Sequence, residues 1–399
     1  WLDSASWGHL LGPAIPAVQH LELKQIDIKG TSLFASLSNC PHLTSLTLQN
    51  VELDGAAAEG AHLLATSAPS ITRLSMTNGA PAVLSALGPQ LLHVQLGGFM
   101  SADERDAAAA LRRCTRVTRV ATYPFPGCNA ALLSLPALKH VVLHAYDAND
   151  RQGLPPHNPN NGSSNRGHKV ASGSWSSVEI LRAVPSHLCS LPLAHVRQFV
   201  LGGLSLGIRE VPPATTRQAL QQAGAALRLP KALRWSRGVP SFRIECDHTT
   251  REATQAWLPG FSGVLNNLHH LCPPGTEALH LQMQDSLQLG ARELRALGRA
   301  FPGLQQLTVT RGDWAPGAWQ ALCTALPQLG TLVCDRAIWE LGSAGEAALG
   351  AAASAAPRPV RVVFRDCAAK MVEGVRRVQQ GLVRVQEQEQ GMELVVQYR

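Results

Sequence analysis

No stretch of this 399-residue chain approaches the roughly 20 consecutive apolar residues a membrane-crossing helix needs, so no such helix is expected. Charged residues are scarce, at 16% against 45% hydrophobic, and this excludes disorder of the whole chain because there is ample apolar surface to bury. Local signatures of catalysis are also missing. There is no glycine-rich phosphate loop ending in Lys-Ser/Thr and no HExxH, and no nucleophile elbow is expected. An enzyme, a resident cofactor, a metal centre and a small-molecule substrate are therefore not expected. Aromatic residues contribute only 5%, with three tyrosines, so stacking platforms for single-stranded nucleic acid are few.

The nine cysteines are odd in number and scattered from Cys40 to Cys367. A disulfide framework needs denser pairing in a smaller domain, so a reducing, intracellular setting (cytoplasm or organelle) is the expectation. The net charge of +7 admits an acidic protein or a nucleic acid as partner without requiring either. Length alone suggests two or three domains, but a repeat architecture escapes that rule, because each added unit extends one core.

What the sequence does contain is an internal repeat. Val18, Leu21, Leu23 and Ile26 stand at relative positions one, four, six and nine, and the spacing returns 25 residues on at Leu43, Leu46, Leu48 and Val51. It recurs at Ile71/Leu74/Met76, Leu91/Val94/Leu96/Phe99, Val117/Val120 and Leu138/Val141/Leu143/Tyr146. Further copies follow at Val196/Phe199/Leu201/Leu204, Val239/Phe242/Ile244 and Leu279/Leu281, then at Leu304/Leu307/Val309, Leu329/Leu332/Cys334, Val362/Phe364/Cys367 and Leu394/Val396. Positions four and six share one face of a short strand, because side chains alternate across the pleat. Helix-forming segments run between the copies. Ser101 to Glu104 fits a capping box opening a helix through Leu111, and 216–227 and 291–300 also read as helices. Several end at a Cys-Pro or Phe-Pro pair, as at Cys40-Pro41, Cys272-Pro273 and Phe301-Pro302.

The segment CPHLTSLTLQNVEL, Cys40 to Leu53, resembles a leucine-rich repeat, especially the irregular cysteine-containing type of F-box receptor proteins. The resemblance covers about Val18 to Tyr398. It implies an α/β horseshoe solenoid of about twelve to thirteen irregular repeats, with parallel strands inside and helices outside, running as one body over 1–399. One departure stands out: where the family places Asn or Cys at position nine, this chain has Ile26, Val51, Phe99 and Tyr146, and Cys367 alone matches. The buried ladder at each strand-to-loop corner must then be made by other contacts.

Two segments break the pattern. Residues 147–176, rich in Asn, Gly, Ser and Pro, read as a polar loop inserted in one repeat. Residues 367–399 read as a C-terminal helix, with Val372, Val375, Leu382 and Val385 on one stripe, followed by the last strand. Cys246, His248, His269, His270 and Cys272 gather in sequence, but Cys272 occupies the same helix-to-strand slot as Cys40 and Cys114, which favours a packing role over zinc. Arg311-Gly312-Asp313 falls where a strand turns out, and Asn161-Gly162-Ser163 matches a glycosylation acceptor. Both read as coincidences.

The informative surface is the row of residues facing outward on the strands. The expected partner-binding set is His20, Lys24, Gln49, Arg73, His93, Gln95, Arg119, Tyr123, His140 and His144 in the first half, with Arg243, His280, Arg361 and Arg365 in the second. A protein partner is the leading expectation, in the role of a scaffold or adaptor within a larger intracellular assembly. Two alternatives are carried. One is an RNA-contacting component of a ribonucleoprotein such as an organellar ribosome. The other, implied by the F-box resemblance, is a ubiquitin-ligase substrate receptor, whose F-box helices would have to lie upstream of Trp1.

Overall fold

The computed structural model describes residues 17–29, 31–77, 81–97, 104–123, 125, 127–144, 175–180, 183, 188, 193–208, 213–246, 261–284, 287–337, 341–382 and 392–397. The expected capping box at Ser101, the inserted loop before Trp175, Phe99, Tyr146, Cys189, His248, Asn161 and Val385 lie outside them. Two compact units make up the chain: residues 1–182 with 194–200 and 230–232, and residues 183–193, 201–229 and 233–399.

The first unit carries strands β1 (His20–Lys24), β2 (Asp27–Ile28), β3 (Ser45–Gln49), β4 (Glu52–Leu53), β5 (Arg73–Thr77), β6 (His93–Leu96), β7 (Arg119–Thr122), β8 (His140–Leu143) and β9 (Ser177–Ile180). From β1 to β9 the long strands pair in parallel in the order β1-β3-β5-β6-β7-β8-β9, and β10 (Gln198–Leu201) and β12 (Ala232–Trp235) extend the sheet to nine. The two short strands β2 and β4 form their own parallel pair. Strands β11 (Leu204–Ile208), β13 (Ser241–Cys246), β14 (Ala278–Met283), β16 (Gln306–Thr310), β18 (Thr331–Asp335), β19 (Val360–Arg365) and β20 (Met392–Gln397) form a second parallel sheet, in that order. Short β15 (Gln288–Leu289) and β17 (Asp313–Trp314) pair beside it.

The registers bear directly on the one-four-six spacing. Leu21, Leu46, Leu74, Val94, Val120, Val141 and Val178 align across seven strands, and so do Leu23, Leu48, Met76, Leu96, Thr122, Leu143 and Ile180. All of these are buried except Leu21, which is half-buried. The second sheet repeats the arrangement with Leu204, Phe242, Leu281, Val309, Cys334, Phe364 and Val396 in one line. Parallel neighbours require a crossover between strands, and here helices supply it.

Those helices stack on one another in chain order. In the first unit Pro81–Leu87 packs on Glu104–Arg112, which packs on Cys128–Leu133. In the second unit Ala291–Ala300, Pro316–Ala325, Gly342–Ala355 and Ala369–Leu382 pack in succession. The helix expected at 291–300 is found with those bounds, and the one expected at 216–227 begins earlier, at Pro213. At the start of Ala291–Ala300, buried Glu293 reaches back to accept the Gly290 N–H at 3.1 Å and also accepts the Ser262 hydroxyl. A carboxylate in this first turn satisfies an orphan donor and complements the positive end of the helix dipole.

Five strand corners share a backbone solution. Gln25, Asn50, Arg311, Arg336 and Asp366, each two residues past the second inward side chain of its strand, have φ between 52 and 60°. Each donates its N–H to a carbonyl at the end of the next long strand: Gln49 at 2.8 Å, Thr77 at 2.8 Å, Asp335 at 2.9 Å, Arg365 at 2.8 Å and Gln397 at 3.2 Å. A left-handed residue other than glycine costs about 1–2 kcal/mol. An intramolecular hydrogen bond contributes about 0.5–1.5 kcal/mol net, so the bond offsets much of the strain. The corner ladder that the missing Asn residues would have built is thus made from main chain. Position nine then turns inward as Val51, Gly312, Ala337 and Cys367. At Gly312 a Cβ would stand 2.4 Å from Val309 Cγ1, so the corner has no room for a side chain. Cys367, the one family-like residue, lies with its sulfur 3.4 Å from both the Cys334 and Arg365 carbonyls.

Candidate interaction face

On the first sheet the outward residues fall into three registered rows. One runs His20, Ser45, Arg73, His93, Arg119, His140 and Ser177, the next Glu22, Thr47, Ser75, Gln95, Ala121, Val142 and Glu179. The third contains Lys24, Gln49 and Thr77, and beyond β7 and β8 it continues to Tyr123 and His144. All ten candidates expected in this half therefore share one face. His20, Lys24, Arg73, Gln95, Arg119, Tyr123 and His140 are exposed, while Gln49, His93 and His144 are half-buried.

The polar groups of this face are unevenly paired. Glu22 takes Lys24 at 3.0 Å and the Gln49 amide at 3.1 Å. His140 Nδ1 lies 2.7 Å from the Ser177 hydroxyl, and the Tyr123 and His144 rings tilt against each other at 5.2 Å. Arg73 and Arg119 have no carboxylate partner among the described residues. His93, registered between them, is pushed below the usual histidine range by burial and then by the charges of Arg73, Arg119 and His140. His144 is lowered by burial as well, against the opposing pull of Glu179.

The second sheet treats its outward residues differently. Arg361 pairs with Glu393 at 3.5 Å and Arg365 with Asp335 at 2.9 Å, while Arg243 is half-buried. His280 corrects the expectation of a side chain offered to a partner, for it is 6% exposed. Its Nδ1 lies 2.8 Å from Ser241 Oγ and 3.5 Å from an Arg237 nitrogen, and its Nε2 lies 3.0 Å from Thr310 Oγ1. Thr310 gives its single hydroxyl proton to Asp335 at 3.1 Å, so it must accept from His280 Nε2–H. Nδ1 is then the acceptor for Ser241. The result is one directed chain, Ser241 to His280 to Thr310 to Asp335, closed by Arg365. Sequence periodicity placed His280 and Arg365 facing outward; it carried no signal that Ser241, Thr310 and Asp335 link them.

The chain makes stability pH-dependent. Burial, with Arg237 next, pushes His280 down to about 4 from an ordinary value near 6.5. Between those values the unfolded chain binds the proton more readily, so stability is complete above 6.5 and falls as pH drops toward 4. At 1.36 kcal/mol per pKa unit the loss is at most about 3 kcal/mol. Urea unfolding at pH 7.5 and 4.5 should show this loss in the wild type and a smaller one in His280→Gln. An equal pH slope in both proteins would refute the assignment.

Other features of the sequence, two of them unremarked above, resolve into structural roles. Gly203-Leu204-Ser205-Leu206-Gly207 spells the nucleophile pentapeptide G-x-S-x-G, but Ser205 sits within extended β11, registered with Arg243, and not at a strand-to-helix turn. His140 and His144 stand four apart on an extended segment, which separates them by about 13 Å. Arg311-Gly312-Asp313 forms a corner in which Gly312 is buried and Asp313 accepts from Gln288 at 3.3 Å. In the expected cysteine–histidine group, the His269 and His270 rings touch at 4.0 Å, and burial pushes the Cys272 thiol up to about 12. Cys40, Cys114 and Cys272 are free, buried thiols in equivalent slots. Among the described residues no group of three metal-ligating side chains occurs, and no helix is long and apolar enough to cross a membrane.

The fold is thus a parallel α/β arrangement of strand-and-helix windings that displays a polar strand face. No family model matches the sequence, and no curated protein matches it. Among solved structures the chain is similar to the leucine-rich repeat-containing protein LegL7 from Legionella pneumophila, at 14% identity, over 79% of this chain and 92% of that one, with a TM-score of 0.30.

Proposed function

We propose that this chain is a non-catalytic protein-binding scaffold of the leucine-rich-repeat kind, in which each unit is a run of horseshoe-type windings and the first sheet's outward face receives the partner. The observation that carries the reading is the unbroken register from β1 to β9, which lines up exposed polar and basic side chains while every inward position except Leu21 on the edge strand is buried. Parallel strands sit about 4.8 Å apart, so seven of them offer a strip of about 30 Å, long enough for a peptide segment or a domain edge. A repeat array commonly binds along such a surface, because its geometry is fixed by stacking and its side chains are free to vary. The fine assignments, an adaptor within a larger intracellular assembly or a ubiquitin-ligase receptor, are specialisations of the same role.

The test is site-resolved. A photo-crosslinking residue at Gln95 should couple to a discrete protein, and one at Arg295 on the helix surface should not. Changing Arg119, Tyr123 and His144 together to alanine should abolish the Gln95 product while leaving the thermal melting curve within a few degrees. Crosslinks arising only from Arg295, or capture indifferent to the triple change, would move the interface to the helices.

A further inference from the structure

We propose that the row Arg73, His93, Arg119 and His140 is an acceptor site for a carboxylate-rich peptide segment. This rests on the preceding reading of the first sheet's face and names the chemistry of what it takes.

The case begins with where cations are satisfied and where they are not. Across the described residues Lys24 pairs with Glu22, Arg361 with Glu393 and Arg365 with Asp335, while exposed Arg234 on β12 stands apart without an ion pair. On the helix side Arg377 joins Glu346 and Glu373. Arg73 and Arg119, both exposed, have no such partner. The first sheet's own outward acids do not serve them: Glu22 is held by Lys24 and Gln49, and Glu179 acts on His144. The two arginines flank His93 in register, two strand spacings or about 10 Å apart. Charge of one sign is therefore concentrated in one row; His93 is held low by burial first, and the charges of Arg73, Arg119 and His140 add to it. An opposite charge arriving there would relieve the repulsion among Arg73, His93, Arg119 and His140, the charged and titratable groups that face one another.

A carboxylate segment suits the spacing. In a polyproline-II segment, with three residues per turn and a rise of about 3.1 Å, residues three apart lie on one face about 9 Å from each other, and a guanidinium fork takes a carboxylate by two parallel bonds. RNA is the poorer match, because non-specific single-strand binding combines a basic track with repeated stacking platforms, and this face has one exposed tyrosine, already in contact with His144.

The experiment is a fluorescence-anisotropy titration of the whole chain. Three labelled probes are compared: a twelve-residue peptide with Glu at every third position, the same peptide with Gln, and an oligouridylate of equal charge. The Glu peptide is expected to bind at least tenfold tighter than the Gln peptide. The double change Arg73→Ala/Arg119→Ala should weaken it by at least tenfold, and Arg292→Ala/Arg295→Ala, an equal charge loss on the helix surface, by less than twofold. Equal binding of the Glu and Gln peptides, equal losses in both double variants, or tighter binding of the oligouridylate would each overturn the proposal. If the Gln95 crosslink persists while the Glu peptide fails, only this inference falls. If the crosslink itself moves to the helices, the underlying reading falls with it.

Discussion

Replacing Gly298 with alanine is expected to destabilise the protein by about 3 kcal/mol or more, although alanine is the better helix former by about 1 kcal/mol. The two effects oppose each other, and distance decides between them. Gly298 lies in the helix Ala291–Ala300, where a Cβ would stand 1.8 Å from the Ala325 carbonyl oxygen of the neighbouring helix. Backbone cannot swing aside as a flexible side chain can, so the two helices would have to part. Gly350 supplies the control. It too is inside a helix, but its nearest neighbour would be Val378 Cγ1 at 3.7 Å, an ordinary contact. Gly350→Ala should therefore raise stability by about 0.4–1 kcal/mol. Urea midpoints of the two variants should move in opposite directions. Movement in the same direction would show that the helices are not seated as described.

Trp319→Ala should cost about 3–5 kcal/mol, the range for removing a fully buried aromatic side chain. Trp319 is 1% exposed, stacks on Trp314 at 4.6 Å with the planes 17° apart, and meets Phe364 at 6.2 Å. Its indole N–H is buried without an acceptor among the described residues. An unsatisfied buried donor costs about 1–3 kcal/mol. Phenylalanine removes that donor while keeping a ring in the stack, so Trp319→Phe should fall within about 1 kcal/mol of the wild type despite its smaller volume. Guanidinium unfolding followed by far-UV circular dichroism separates the cases. If phenylalanine proves as costly as alanine, the indole's shape, and not the missing partner, governs the site.

The strands were legible in the sequence because their signal is a periodicity: an inward leucine or valine at two fixed positions can be read without knowing what it touches. Leu46 and Leu48, Leu307 and Val309 are examples, and the helix 291–300 announced itself by the same means. The candidate face was half legible. Its first-sheet members, from His20 to His144, followed from the alternation of side chains across a pleat. His280 did not, because its burial depends on Ser241 and Thr310, 39 and 30 residues away, and on an arginine at 237 reaching its ring. The corners were illegible for another reason. Gln25, Asn50, Arg311, Arg336 and Asp366 share a backbone angle and not a side-chain type, so no letter marks them.

That last feature bears on how such a chain can change over time. The link from each corner to the following strand uses an amide and a carbonyl that every residue except proline possesses in full. Most substitutions at a corner thus leave the link standing, and the letters there can drift while the windings persist. Length is tolerated as well: donor and acceptor stand 24 to 31 residues apart at the five corners, so the segment that returns to the next strand can lengthen without carrying the donor past its acceptor. What the link does hold fixed is the pairing of one corner amide with the carbonyl that ends the following strand.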